Sequence, residues 1–106
     1  MSSTTLRIDR DGLPYWNQFE GTSLVYGFNW AYRMAAIAPL PTILTAQIST
    51  DTESMSYGPS VFAYNIHAFY VAPSAGNVDE DVVFTSKVFL SDGQVDKARI
   101  KVKVKA

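Results

Sequence analysis

At 106 residues, with nine Lys and Arg against ten Asp and Glu and a formal charge of −1, the chain is long enough for one packed domain and too short for two. Hydrophobic residues at 47% and charged ones at 18% exclude a disordered polymer, and the near-zero balance excludes the strongly basic composition of a dedicated nucleic-acid binder. Without cysteine, neither disulfides nor thiolate metal sites hold the chain, so packing, sheet hydrogen bonding and self-assembly are expected to carry its stability.

Met1 to Arg10 is polar and lacks the apolar stretch of a signal peptide. No apolar run approaches the roughly 18 residues of a membrane span, so a soluble protein made in the cytosol is expected. Met1 to Glu20 shows no sustained periodicity and reads as an extended N-terminal arm, residues 1–20, in front of a domain over 21–106. The arm's aromatics, Tyr15, Trp16 and Phe19, are costly to leave in water. They point either to an arm packed on its own domain or a neighbour, or to a first edge strand of the same domain.

From Thr22 the chain alternates, with Leu24, Tyr26, Phe28 and Trp30 on one face of a predicted strand. Ala31–Ala38 is the stretch with helical propensity, closed by Pro39 and Pro41, and predicts one or two helical turns. Thr42–Ser49 alternates again, and a short strand is expected around Met55–Tyr57 before Gly58-Pro59. Val61–Val71 is apolar on both faces, which predicts a central strand or two strands broken by a bulge. Asp81–Leu90 and Val95–Val104 follow as long strands joined by a hairpin with Asp92-Gly93 at its tip. In the last strand Ala98, Ile100, Val102 and Val104 are expected to face inward, and Lys97, Arg99, Lys101 and Lys103 outward, as on a protected edge. About six or seven strands with Gly, Pro and Asp turns make the fold all-β, a small antiparallel sandwich.

Candidates for chemistry are few. His67, the one histidine, sits in an apolar strand with no partner at a recognisable spacing and reads as a satisfied or half-buried strand residue rather than a functional one. No Gly-x-Ser-x-Gly elbow is present, so no hydrolase is expected. Asp79-Glu80-Asp81 offers carboxylate oxygens of the kind calcium takes, but consecutive side chains do not all turn to one ion, and a solvated loop is the plainer reading. Neither cofactor nor metal is assigned. Of the 14 aromatics, Tyr26, Phe28, Trp30, Phe62, Tyr64 and Phe84 fit a small β core. Tyr15, Trp16, Phe19 and Tyr57, in the arm or near turns, are left as candidates for a contact surface. The basic row Lys97, Arg99, Lys101 and Lys103 has alternate residues about 6.5 to 7 Å apart, a spacing that suits phosphates. It lacks interleaved aromatics for base stacking, so a solvated edge or a contact to an acidic protein is preferred.

From Val25 onward the chain resembles small immunoglobulin-like virion proteins of tailed bacteriophages. The resemblance rests on Tyr26-Gly27-Phe28-Asn29-Trp30, against that family's Tyr-x-Phe-Asp-Trp strand, and on the region Phe69–Val104 with Ala75-Gly76, Val83–Val88, Ser91–Asp96 and Arg99–Val104. Asn29 stands where the pattern has Asp, and Met1 to Glu20 lies outside the resemblance. It implies an Ig-like β-sandwich that is not an enzyme and sits on the capsid surface or at the neck or tail. The role it implies is capsid decoration or cement on the major capsid protein, as a homo-oligomer with a trimer favoured. A tail or fibre adaptor is the alternative within the virion; the competing class, drawn from the aromatics rather than the resemblance, is a carbohydrate-binding module on a host surface or a fibre. No nucleic-acid or membrane partner is expected.

Overall fold

A computed structural model describes residues 7–31, 34 and 42–106. The strands are β1 (Arg7–Ile8), β2 (Pro14–Phe19), β3 (Leu24–Asn29), β4 (Ile43–Thr50), β5 (Ser56–Tyr57), β6 (Val61–Ala63), β7 (Ile66–Ala72), β8 (Asp81–Leu90) and β9 (Val95–Lys105), with a 3-10 turn at Ala75–Asn77. They form two facing sheets, mostly antiparallel. One has the order β1-β2-β9-β8-β4, and the other has β3-β7-β5, with β6 pairing the same flank of β7 further along. The exception to antiparallel pairing is β2 against β9, which run parallel from Tyr15 opposite Lys101 to Phe19 opposite Lys105.

Alternation decides which side chains meet between the sheets. Tyr26, Phe69 and Val71 from one sheet pack against Val82, Phe84, Ile100, Val102 and Val104 from the other, with Met55 at the rim. The Phe69 and Phe84 rings meet across the interface at 5.1 Å between centroids. A second cluster gathers Trp30, Met34, Val88 and Leu90, with Phe28, Ile43 and Phe62 against it. Each of the fully covered side chains among these contributes about 1.5–3 kcal/mol of burial, and the half-buried Phe28, Ile43 and Phe62 less, which offsets the chain entropy lost on folding.

Several sequence expectations change. The segment expected as an arm contributes β1 and β2 to the sandwich from Arg7 onward, the edge-strand reading, while residues 1–6 lie outside the described residues. Gln18 explains why β2 is held: its Nε2 donates to Val71 O at 2.8 Å and its Oε1 accepts from Tyr26 Oη at 2.8 Å, all within the core. The last strand is not an edge, because β9 lies between β2 and β8. Val61–Val71 is neither one strand nor a bulged pair. Tyr64 and Asn65, both with left-handed backbones (φ 53° and 63°), turn the chain between β6 and β7, so Tyr64 leaves the expected core and is exposed. Of the helical turn expected over Ala31–Ala38 only Ala31 and Met34 are described, and Met34 N donates to Trp30 O at 3.0 Å.

Candidate interaction surfaces

Three places collect polar or exposed groups that packing alone does not account for. The first is the outer side of β9. Lys101, read as outward and free, is buried beneath the Asp9–Leu13 turn, where its Nζ lies 2.7 Å from Asp9 Oδ2 and 2.6 Å from Asp11 Oδ2. Lys103 Nζ reaches the same Asp9 oxygen at 3.1 Å and sits 4.5 Å from the centre of the Tyr15 ring. The turn is built for this. Asp9 N donates to Leu13 O and Gly12 N to Asp9 O, with Gly12 at φ +82°, a conformation in which glycine has no Cβ to strain. Hydrogen bonds from Lys101 are the main cause that holds both carboxyls below the usual range, and their bonds in return raise the Lys101 ammonium above its usual value. Lys101 and Lys103 are thus spent inside the molecule, whereas Lys97 and Arg99 remain exposed. Replacing Lys101 with Met is expected to release the turn without unfolding the sandwich. Hydrogen exchange should show the Leu13 and Gly12 amides losing protection while Val88 and Ile100 keep theirs.

The second place is the outer face of the smaller sheet. Register puts Val25 beside Tyr70, Gly27 beside Ala68, and Val61 and Ala63 beside Ala68 and Ile66. Val25 is 62% exposed, Val61 64%, Ile66 44% and Tyr70 49%, with no charged residue between them. Two glycines shape this face. A Cβ on Gly27 would stand 3.3 Å from Ile66 Cγ2, and one on Gly58 would stand 2.7 Å from Tyr70 Cδ2 and 3.0 Å from Tyr70 Cβ. The Ile66 and Tyr70 side chains therefore lie down over bare backbone, fixed in place although exposed. The sequence signal was present in Gly27 and Gly58 but could not be read before the register was known.

The third is inside. His67 is fully buried, its Nδ1 2.7 Å from Ser86 Oγ, which also accepts from Trp30 Nε1 at 3.1 Å, so the three residues tie β7 to β8 and the end of β3. Among the described residues Nε2 of His67 has no hydrogen-bond partner, and the Phe62 ring meets the imidazole edge-on. Burial pushes the imidazole pKa down, which keeps it neutral.

The remaining predicted contact residues separate. Phe19 is exposed at the end of β2, Tyr15 and Trp16 are half-buried with Trp16 against the core, and Tyr57 turns inward to meet Phe84 edge-on at 5.6 Å. Tyr57 therefore serves the core; its neighbourhood to Gly58-Pro59 misled the sequence reading. In the acidic run Glu80 Oε1 accepts from Asn77 Nδ2 at 2.7 Å, Asp79 holds a left-handed backbone, and Asp81 opens β8 opposite Lys103. Among the described residues no three His, Cys, Asp or Glu side chains gather as metal ligands, and no helix is long and apolar enough to cross a membrane. No protein-family model matches the chain, and no curated protein matches it significantly.

Proposed function

We propose that the protein is a non-enzymatic structural component of a tailed-bacteriophage virion, an immunoglobulin-like domain that decorates or cements the capsid as an oligomer by binding the major capsid protein. The sequence resemblance supports the virion class. The strand order supports the immunoglobulin-like part: β3-β7-β5 and β4-β8-β9 match the B-E-D and C-F-G groupings of that fold.

The observation that carries the binding role is the uncharged face with Ile66 and Tyr70 seated over Gly27 and Gly58. An exposed tyrosine already held in one place loses little entropy on contact and is suited to anchor a partner. Three strands about 4.8 Å apart and some seven residues long give roughly 300 Å² per copy, well below the roughly 800 Å² per partner of a stable pair. A second copy offers only this same narrow face, whereas a larger capsid protein extends past it to Tyr64, exposed beside it.

Quantitative mass spectrometry of purified virions tests the role. Decoration requires hundreds of copies per particle; about a dozen would indicate a tail or fibre adaptor, and absence from the particle would refute the reading. Tyr70→Asp and Gly58→Ala are expected to fold and to lose capsid binding at least about tenfold, a change of about 1.4 kcal/mol. The carbohydrate-binding alternative draws on the same Tyr70 ring together with Tyr64, 96% exposed. It predicts saturable tyrosine fluorescence changes with host polysaccharide.

A further inference from the structure

The outer face of the larger sheet carries charges of opposite sign at its two ends. Toward the Asp92-Gly93 hairpin, Lys87 and Lys97 stand directly opposite each other on β8 and β9, with Arg99 opposite Thr85 one step along. Like charges placed directly across a strand pair destabilise it, and long side chains relieve this only in part. Lys87 leans over the Phe89 ring at 5.2 Å, and among the described residues no carboxylate lies within ion-pair distance of Lys87, Lys97 or Arg99. Toward the other end, Asp51 and Asp81 are exposed, with Glu53 in the loop after β4. Lys103, across from Asp81, is engaged by Asp9 instead. Asp51 accepts from Val83 N at 2.9 Å, which fixes its carboxylate at the sheet margin.

We propose that this face pairs with the same face of a second copy, the two sheets reversed about a two-fold axis that crosses β8 between Val83 and Thr85. Lys87 and Asp81 are six residues apart on one strand, about 20 Å. Reversal therefore lays the Lys87–Lys97–Arg99 end of one copy over the Asp51–Asp81 end of the other, and the same contact recurs in the opposite sense. A face-to-face pair closes on itself, as the commonest homo-oligomers do. The occupant is a second copy rather than nucleic acid because carboxylates share the face with the cations and would repel a continuous phosphate backbone, and because the ring beside the cations, Phe89, is half-buried with Lys87 over it. β8 and β4 over ten residues, with the Lys97–Arg99 part of β9 that the Asp9–Leu13 turn leaves open, present roughly 350 Å² per copy, below the usual size of stable interfaces, so the pair is weak and sensitive to salt. The two-fold contact gives a dimer where the resemblance favours a trimer, and it stands apart from the capsid-binding face on the opposite sheet.

Sedimentation velocity of the full chain over a concentration series tests it. Between about 50 and about 500 mM salt the dimer dissociation constant is expected to rise at least about tenfold. Lys97→Glu and Asp81→Lys should each weaken self-association by at least about tenfold, and an equimolar mixture of the two should restore it, since both ends are then complementary in the mixed pair. Lys97→Glu also replaces the opposed lysines by a Lys–Glu pair, so its melting temperature should not fall. A chain that stays monomeric at every concentration, a trimer, a dimer indifferent to both substitutions, or a mixture no better than its parts would overturn the proposal. Binding of short single-stranded DNA at low salt by the wild type but not by Lys97→Glu, without dimerisation, would assign the face to nucleic acid instead.

Discussion

Removing residues 1–20 is expected to abolish cooperative folding. The deletion strips β9 of the five residues paired along β2, uncovers Val102 and Val104 where Trp16 packs, and takes Gln18 away from Tyr26 Oη and Val71 O. Both of those groups are then left in the core without Gln18, at about 1–3 kcal/mol for each one unpaired. Loss of the half-buried Trp16 adds about 2 kcal/mol, and the open flank of β9 adds its unpaired backbone groups. Asp9 and Asp11 go with the segment, so Lys101 and Lys103 lose their counter-ions as well. Together these approach the whole 5–15 kcal/mol by which a domain of this size is held. Far-UV and near-UV circular dichroism with urea titration reads the result: a truncated chain without near-UV signal and without a sigmoidal transition. Gln18→Leu is the milder companion, expected to fold and to lose about 2–4 kcal/mol by urea titration. A truncated chain that melts cooperatively near the wild-type midpoint would show that β2 lies on the sandwich without supporting it.

What could be read in the sequence was what period two and turn chemistry encode. β8 and β9 were legible because Val82, Phe84, Val88 and Leu90 on one strand and Ala98, Ile100, Val102 and Val104 on the other keep a period of two on either side of Asp92-Gly93, where Gly93 takes φ +90°. The inward face of β3 was legible through Tyr26, Phe28 and Trp30, whereas His67, read as a satisfied or half-buried strand residue, is fully buried with Nε2 unpartnered among the described residues. β2 was not legible, because one of its inward positions is Gln18, a polar residue whose burial is justified only by Val71 O and Tyr26 Oη, 53 and 8 residues away. The partner of β2 is also parallel and lies 86 residues on, from Tyr15 to Lys101, a pairing that no local pattern announces. Lys101 looked free for the same reason: the carboxylates that neutralise it come from the far end of the chain. Tyr64 failed differently. Alternation was carried through a turn made by Tyr64-Asn65, a pair that lacks the glycine by which such turns are usually recognised. The candidate surfaces depended on all of this, since which side chains share an outer face follows from strand register, and register is a property of pairs of strands.

Ser86→Ala is expected to cost about 3 kcal/mol, far more than the loss of one hydroxyl from a surface. Ser86 Oγ is fully buried and is the acceptor for Trp30 Nε1 and the neighbour of His67 Nδ1. Without it the indole loses that acceptor and the imidazole, whose Nε2 already lacks a partner among the described residues, loses its hydrogen bond at Nδ1. The same site sets a pH dependence whose sign is fixed by burial. The folded chain holds His67 neutral below its ordinary value of 6.5. Above about pH 6.5 neither the folded nor the unfolded chain carries the proton, and stability is at its full value. As pH falls below that, the unfolded chain takes up a proton that the folded chain refuses, and stability declines by up to about 1.4 kcal/mol per pH unit until the folded imidazole titrates as well. The lowered carboxyls of Asp9, Asp11 and Asp92 work in a separate window, since their stabilisation is lost only as pH falls through their ordinary value of 3.8 and below. Urea unfolding from pH 7.5 to 5 therefore isolates the histidine. Wild-type protein should lose stability across that range, and His67→Leu should show a nearly flat profile even if its absolute stability is lower. A His67→Leu profile as steep as the wild type would move the acid sensitivity to some other group and leave the buried imidazole without a role in it.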